Sequence, residues 1–363
     1  MARHFFSDWG RLPVSGLGRA AGLLILAVVH SGSNQAGVFV SGADPCVDPD
    51  VKSPGSSTRN PLGCDSPSGL ESVTLVTVLF NSRHCLPALA DLLLGCPSVI
   101  LVDNGSTDDS ATAARALVPQ AQVIEAGRNL GFGAACNVAL ARVRTPFALL
   151  LNPDCELDAA AVVGLLAAAE RWPQAALLAP QLVDGRGRAE RNYRWPRTLW
   201  AARGPAAEGD CCVGHLCGAV WLLRMERVRD LGFFDARFFL YYEDDDLCLR
   251  LFRAGRPLML IPSVTARHRA RGSVGGRSRL QLEFGRGYHH AQSKLTFEGL
   301  HGAPARAQRL RRKTLLLTTL LLPLRVLVFS PRLVARMVGR WVGLWRWGLA
   351  ALEPKGVEPE SGG

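Results

Sequence analysis

The feature that most constrains this chain is a rhythm between Val73 and Leu151. Short uncharged apolar runs are each followed by a few polar residues and then by a helical pattern. The runs are Val73 to Phe80, Val99 to Val102, Val123 to Ile124 and Phe147 to Leu151; Leu86 to Leu94, Ser110 to Leu117 and Gly131 to Arg142 fill the gaps. Strands alternating with helices at this spacing predict an α/β fold around a parallel sheet. In such a sheet ligands sit beyond the carboxyl ends of the strands. The residues to read are therefore Asn81 and Ser82, Asp103 to Asp108, Arg128 and Asn129, and Asn152 to Asp154.

Each exit has a plain structural reading beside a chemical one. In Asp103-Asn104-Gly105-Ser106-Thr107-Asp108 the glycine makes a turn, and Ser106 or Asp108 caps the next helix. Neither role accounts for Asp103, a carboxylate directly after an apolar strand, whose burial is costly without a donor. The N3–H of uracil or thymine is such a donor. Gly131-x-Gly133-x-x-Cys136 with Asp154 downstream resembles a dinucleotide fingerprint, but cysteine stands at the third glycine and Asp154 sits within Asn152-Pro153-Asp154. That turn can present a carboxylate to a hard cation holding a diphosphate. Further on, Glu243, Asp244, Asp245 and Asp246 open a helix running to about Ala254, where the macrodipole eases their repulsion. They either face water or keep one carboxylate beside a cleft as a base. A strand-like run covers Arg256 to Ile261, and His268 lies among arginines. His215, near Cys211, Cys212 and Cys217, lacks the second Cys-x-x-Cys pair of a zinc site. The ten cysteines follow no framework spacing and read mostly as buried thiols of a cytosolic protein.

In order and spacing, Val73 to His268 resembles glycosyltransferase family 2, within it the rhamnosyltransferase-like branch. Val78-Leu79-Phe80-Asn81-Ser82 is similar to the family's first strand and its exit, and Asn129-Leu130-Gly131-Phe132-Gly133 to its Asn-x-Gly element. Asn152-Pro153-Asp154 stands at the Asp-x-Asp position with asparagine for the first acid; Glu243-Asp244-x-Asp246 resembles the Glu-Asp element. The resemblance implies a GT-A-like nucleotide-diphospho-sugar transferase fold with a mainly parallel sheet. It implies an inverting, metal-dependent sugar transfer with Asp244 as catalytic base and Mg²⁺ or Mn²⁺ on Asp154 and His268. Asn81, Asp103, Asn129, Gly131, Asn152 and Asp154 would bind the nucleotide sugar, a dTDP- or UDP-linked donor that could carry rhamnose. Gly218, Ala219, Asp235, Glu243 and Asp246 fall on the acceptor side. The other readings are an inactive carbohydrate-binding or scaffold protein on the same fold and, further off, a nicotinamide-dependent oxidoreductase.

Net charge bears on partners. The chain carries a formal +11, yet residues 71 to 261 sum to −2, while His301 to Leu349 hold ten basic residues and no acidic one. A catalytic region this close to neutral does not read as a nucleic-acid binder. Ser330-Pro331 predicts a helix start in that basic stretch. Arg332, Arg336, Arg340 and Arg346 then share one side, with Trp341 and Trp345 near the other. Such a helix suits an anionic membrane surface, or else packs on the catalytic domain. The expected organisation is an N-terminal extension over 1–70, poorly ordered, and a catalytic domain over 71–300. A basic amphipathic membrane-proximal segment follows over 301–349, then a flexible tail over 350–363. Ala20 to Val29, behind Arg3, Arg11 and Arg19, has the shape of a short signal segment, although an extension is the simpler reading. No run reaches the roughly 18 to 20 apolar residues that span a bilayer. The expected setting is therefore cytoplasmic, peripheral to the inner face of the membrane. The acceptor would be a saccharide or lipid-linked saccharide of cell-surface polysaccharide synthesis.

Overall fold

The computed structural model describes residues 69–197, 200–269, 278–327 and 330–354. The expectations for the N-terminal extension, the Ala20 to Val29 run and most of the tail lie outside these residues.

The predicted rhythm is realised almost residue for residue. β1 (Val73–Leu79), β2 (Ser98–Asp103), β3 (Gln122–Glu125) and β4 (Phe147–Leu151) pair in parallel in the order β3-β2-β1-β4. All seven residues of β1 are buried, as a strand covered on both faces requires. Leu75 and Leu79 join a core on one face, and Val76 and Val78 a second core on the other. Helices α1 (Leu86–Gly95), α2 (Ser110–Leu117) and α3 (Phe132–Leu140) connect these strands. The edge strand β3 is short and ends on Glu125, which suits an edge open to water.

Beyond β4 come β5 (Cys155–Glu156), α4 (Ala159–Arg171), β6 (Leu177–Val183), β7 (Tyr193–Pro196), β8 (Ala201–Ala202), β9 (Cys211–Val213), β10 (His215–Leu216) and β11 (Val220–Arg224). α5 (Glu243–Arg253) and β12 (Leu258–His268) complete this half. β11 enters antiparallel between β4 and β6, and β12 pairs in parallel with β6, so a mainly parallel sheet gains an antiparallel flank. β7, β8 and β10 form a separate small sheet. The chain winds outward from β1 to β3 and then returns to place β4 on the other side of β1. That reversal puts a ligand crevice at the carboxyl ends of β1 and β4, where Asn81 and Asn152 stand. The α/β architecture implied above is borne out.

Three helices follow: α6 (Arg279–His301), α7 (Pro304–Leu327) and α8 (Pro331–Arg346). The expected division at residue 300 falls at the end of α6. Ser330 is at the N-cap of α8 with Pro331 first in the helix, as predicted, but its hydroxyl makes no capping bond. The arginine side predicted for α8 is covered at its middle and open at its ends: Arg336 pairs with Glu283 of α6 and burial lowers the pKa of Arg340, while Arg332 and Arg346 are exposed. Trp347 is buried, its indole N–H donating to Thr296 at 3.1 Å. α8 is thus a packed helix before it is a surface one. Among the described residues, no helix is long and apolar enough to cross a membrane. Cys85, Cys96, Cys136, Cys155 and Cys248 are the buried free thiols expected, whereas Cys212 departs from that reading in being disulfide-bonded.

Candidate active site

At the nucleotide end, the exits of β1 and β2 are tied into one turn. The Asn81 side-chain oxygen accepts from the Thr107 amide at 2.7 Å, and the Asn81 amide donates to Ser106 Oγ at 2.9 Å. Asn81 adopts φ +52 to do so, a conformation asparagine tolerates better than most residues. One Asp103 oxygen accepts from the Ser106 amide at 2.9 Å; the other is buried with no hydrogen-bond partner. Asn104, buried beside it, accepts from the Leu130 amide at 2.8 Å and donates to Asn129 at 3.1 Å. Gly131 has φ +90, and a Cβ there would collide with the Phe239 carbonyl, so a protein contact alone already requires this glycine. Gly133 likewise packs on Phe234. The dinucleotide reading ends there. A cavity of about 200 Å³ opens at this point, lined by Asn104, Asn129, Gly131 and Asn152 and, from α6, by Arg286 and His289.

The second group lies where β5 meets the end of β12. His268 pairs across the ladder with Cys155, bringing its Nε2 to 3.9 Å from Asp154 Oδ1. Both Asp154 oxygens and both His268 ring nitrogens are buried without a hydrogen-bond partner. Glu190 approaches His268 Nδ1 at 3.6 Å. Burial lowers the His268 pKa and favours the neutral ring, although the two acids oppose this. Neutral imidazole and carboxylate form a donor set for a divalent cation. Burial pushes the Cys155 thiol well up, so it offers no thiolate. The residues present fit a hard divalent ion.

The third group is the first turn of α5. All four acids are buried, which excludes a row facing water. One has fixed partners: Asp246 is held by Arg250 Nε at 2.9 Å and His301 Nε2 at 2.7 Å. Asp235, in the preceding loop, is chelated by Arg237. Burial raises the Asp235 pKa, but the Arg237 hydrogen bonds outweigh it and leave the group lowered. Asp244 accepts from the Asp245 amide at 2.9 Å and more weakly from the Gly218 amide at 3.4 Å, with His215 Nε2 at 3.6 Å. A Cβ on Gly218 would crowd Asp244, and the adjacent Ala219 is fully buried, its carbonyl accepting from the Asn152 amide. Glu243 keeps one oxygen without a partner; burial, reinforced by Asp244, raises its pKa to about 8.

Among the described residues, two groups could hold a cation: Asp154 with Cys155 and His268, and His215 with Asp244 and Asp245. Cys211, Cys212 and Cys217 join neither, so the zinc reading of His215 gives way to a contact with the acids of α5. Asn104, Glu190, Arg286 and His289 were not singled out from sequence. Asn104 stood beside Asp103 and could have been; the other three come from segments with no local signal.

The chain thus combines a buried acid cluster opening α5, a carboxylate and imidazole fit for a divalent ion, and a crevice at the strand ends. The chain matches the glycosyl transferase family 2 profile over residues 75–232. It is 32% identical over 209 residues to the N-acetylglucosaminyl-diphospho-decaprenol L-rhamnosyltransferase of Mycobacterium tuberculosis, covering 49% of this chain and 68% of that protein. It is 31% identical over 133 residues to an uncharacterized glycosyltransferase of Mycobacterium bovis, covering 37% of this chain and 55% of that one. Among solved structures, it is similar to a mannosyltransferase from Pyrobaculum calidifontis in complex with GDP-Man and Mn²⁺, at TM-score 0.47 and 14% identity, over 76% of this chain and 87% of that chain. The chain belongs to glycosyl transferase family 2, as a rhamnosyltransferase-like glycosyltransferase.

Proposed function

We propose that the protein transfers a sugar, rhamnose being the first to test, from a dTDP- or UDP-linked donor to a lipid-linked saccharide, with inversion at the anomeric carbon. The observation that carries the metal-dependent part is the buried Asp154 and His268 pair, whose side-chain polar atoms have no hydrogen-bond partner. Groups of that kind are retained against their desolvation cost where a ligand completes them.

The Asp103 oxygen that lacks a partner accepts the N3–H of uracil or thymine. Asn104 holds Asn129 and Gly131 in place along the cavity. Asp244, steadied by two backbone amides, takes the proton of the acceptor hydroxyl as that oxygen bonds to the anomeric carbon and the bond to the diphosphate breaks. Attack opposite the leaving group inverts the centre. Asp154 and His268 would hold Mg²⁺ or Mn²⁺, which offsets charge developing on the diphosphate. A lipid-linked acceptor is supported by the mycobacterial relative, an N-acetylglucosaminyl-diphospho-decaprenol L-rhamnosyltransferase, and fits a peripheral position on the anionic inner face of the membrane. On this reading the enzyme works in cell-surface polysaccharide synthesis.

The test is a panel of nucleotide sugars with Mg²⁺, Mn²⁺ or chelator, scored for released nucleoside diphosphate. A pyrimidine-linked donor consumed only with metal is the expected result. Sugar binding without turnover of any donor would instead establish the scaffold reading.

A further inference from the structure

The three C-terminal helices differ in what they cover. α8 lies against α6 closely enough that Gly339 and Gly343 face the backbone of Phe284 and Tyr288, and Gly287 faces that of Arg336. Residue numbers rise together along this contact, so α6 and α8 run parallel. Arg311 of α7 donates to the Leu344 and Trp345 carbonyls at 2.7 and 2.9 Å, and Trp341 donates to Thr319 at 2.9 Å, so α7 runs the other way. The end of α7 and the start of α8 therefore share one end of the bundle with the first turns of α6. Those turns contribute Gln281, Gly285, Arg286 and His289 to the wall of the donor cavity.

At that end α7 covers little. Among the described residues none after Thr318 in α7 is buried. Leu316, Leu320, Leu324 and Leu327, spaced to fall on one face, are 61%, 62%, 57% and 75% exposed. Leu333 in α8 and Leu280 in α6 are also exposed at this end. One to two turns back along the same face of α7 stand Arg309, Arg312 and Lys313, all exposed. A water-facing helix does not present four aligned leucines, and no acid between His301 and Leu349 balances the charge.

We infer that this end of the bundle is a docking surface for an anionic membrane, in which the leucine face of α7 enters the acyl boundary while Arg309, Arg312 and Lys313 stay among the headgroups. The inference rests on the lipid-linked acceptor reading and deepens it by naming the face. It differs from what the sequence suggested in placing the contact on the leucine face of α7 instead of the tryptophan side of α8, where Trp341 is tied to Thr319. It also turns toward the bilayer the end of α6 that walls the cavity, so an acceptor headgroup could reach the site while its lipid stays in the membrane.

The full chain is floated with vesicles of phosphatidylcholine alone or mixed equally with phosphatidylglycerol. The parent protein should float with the mixed vesicles, less so as salt is raised. The combined variant Leu320→Glu, Leu324→Glu and Leu327→Glu should lose roughly tenfold or more of that binding, with its melting temperature unchanged because none of the three is buried. Trp345→Ala should float like the parent. A triple variant that still floats overturns the inference; so does a parent that fails to float and is a dimer by light scattering, with the leucine face shown to be its interface by the variant's dissociation. Turnover with a water-soluble acceptor analogue is measured on the same samples and should survive the leucine changes. A parent that floats but turns over no donor would overturn the transferase reading and leave the docking surface standing.

Discussion

The catalytic half and the C-terminal bundle treat polarity in opposite ways. Between residues 69 and 269, Asp103, Asp154, Glu243 and His268 are buried with atoms that have no hydrogen-bond partner. In the bundle, buried polar groups are matched. Glu283 meets Arg286 and Arg336, Thr296 meets the Trp347 indole, and the Thr318 hydroxyl donates to the Thr314 carbonyl. There it is the leucines that lack partners. An unmatched buried acid costs stability, and so does an exposed apolar stripe, so each marks a contact the isolated chain leaves unmade. On the proposed function and the inferred docking surface, the first half takes a polar, charged ligand and the second an apolar one.

The comparison is broken most severely at Asp244. Asp244→Asn keeps the shape but removes the proton acceptor, and turnover should fall roughly 10³-fold while donor affinity changes little. Full turnover in the variant would remove Asp244 from its role. The next effect belongs to the bundle. Glu283→Gln leaves two arginines without their shared counter-charge and should destabilise the fold by about 3 kcal/mol in urea unfolding. No comparable loss should follow from neutralising a partnerless acid of the catalytic half.

Glu243 sharpens the contrast through pH. Burial and the neighbouring Asp244 hold its folded-state pKa at about 8 against an ordinary 4.5. Between those values the native protein keeps a proton that the unfolded chain has released, so this group makes stability fall as pH rises through the window. Glu243→Gln removes that slope. Its stability relative to the parent should improve from pH 5 to pH 8 by on the order of a few kcal/mol, read from paired urea titrations. An equal difference at both pH values would mean that the carboxyl ionises in the folded protein as readily as in water.

The strands and helices up to Leu151 were legible because burial on both faces leaves an uninterrupted apolar run, and polar residues mark where it stops. The site was legible where a motif is local: Asp103 after β2, Asp154 after β4, the acids opening α5. It was not legible where a role depends on a distant partner. Asp246 meets a histidine 55 residues further on, and Glu190 reaches His268 from a different loop. Arg336 and Arg340 of α8 read as part of a free face because their sequence does not show that they are covered. Four consecutive acids look alike in sequence; only packing distinguishes the one pinned by Arg250 and His301 from the one held beside Gly218.

The smallest expected effect separates a ligand site from a packing defect. Asp154 carries two buried oxygens with no hydrogen-bond partner, so in metal-free buffer Asp154→Asn should be as stable as the parent or better by about 1 kcal/mol. Adding Mn²⁺ should then reverse the order. An ion that binds only the folded parent stabilises it by about 2.7 kcal/mol at a hundred times its dissociation constant, and the variant should gain little of that. His268→Gln should resemble Asp154→Asn in losing the metal response, since each removes one of the paired donors. If both variants melt below the parent without metal and all three respond equally to Mn²⁺, the pair is ordinary packing. The contrast between the two halves would then rest on Asp103 and Glu243 alone.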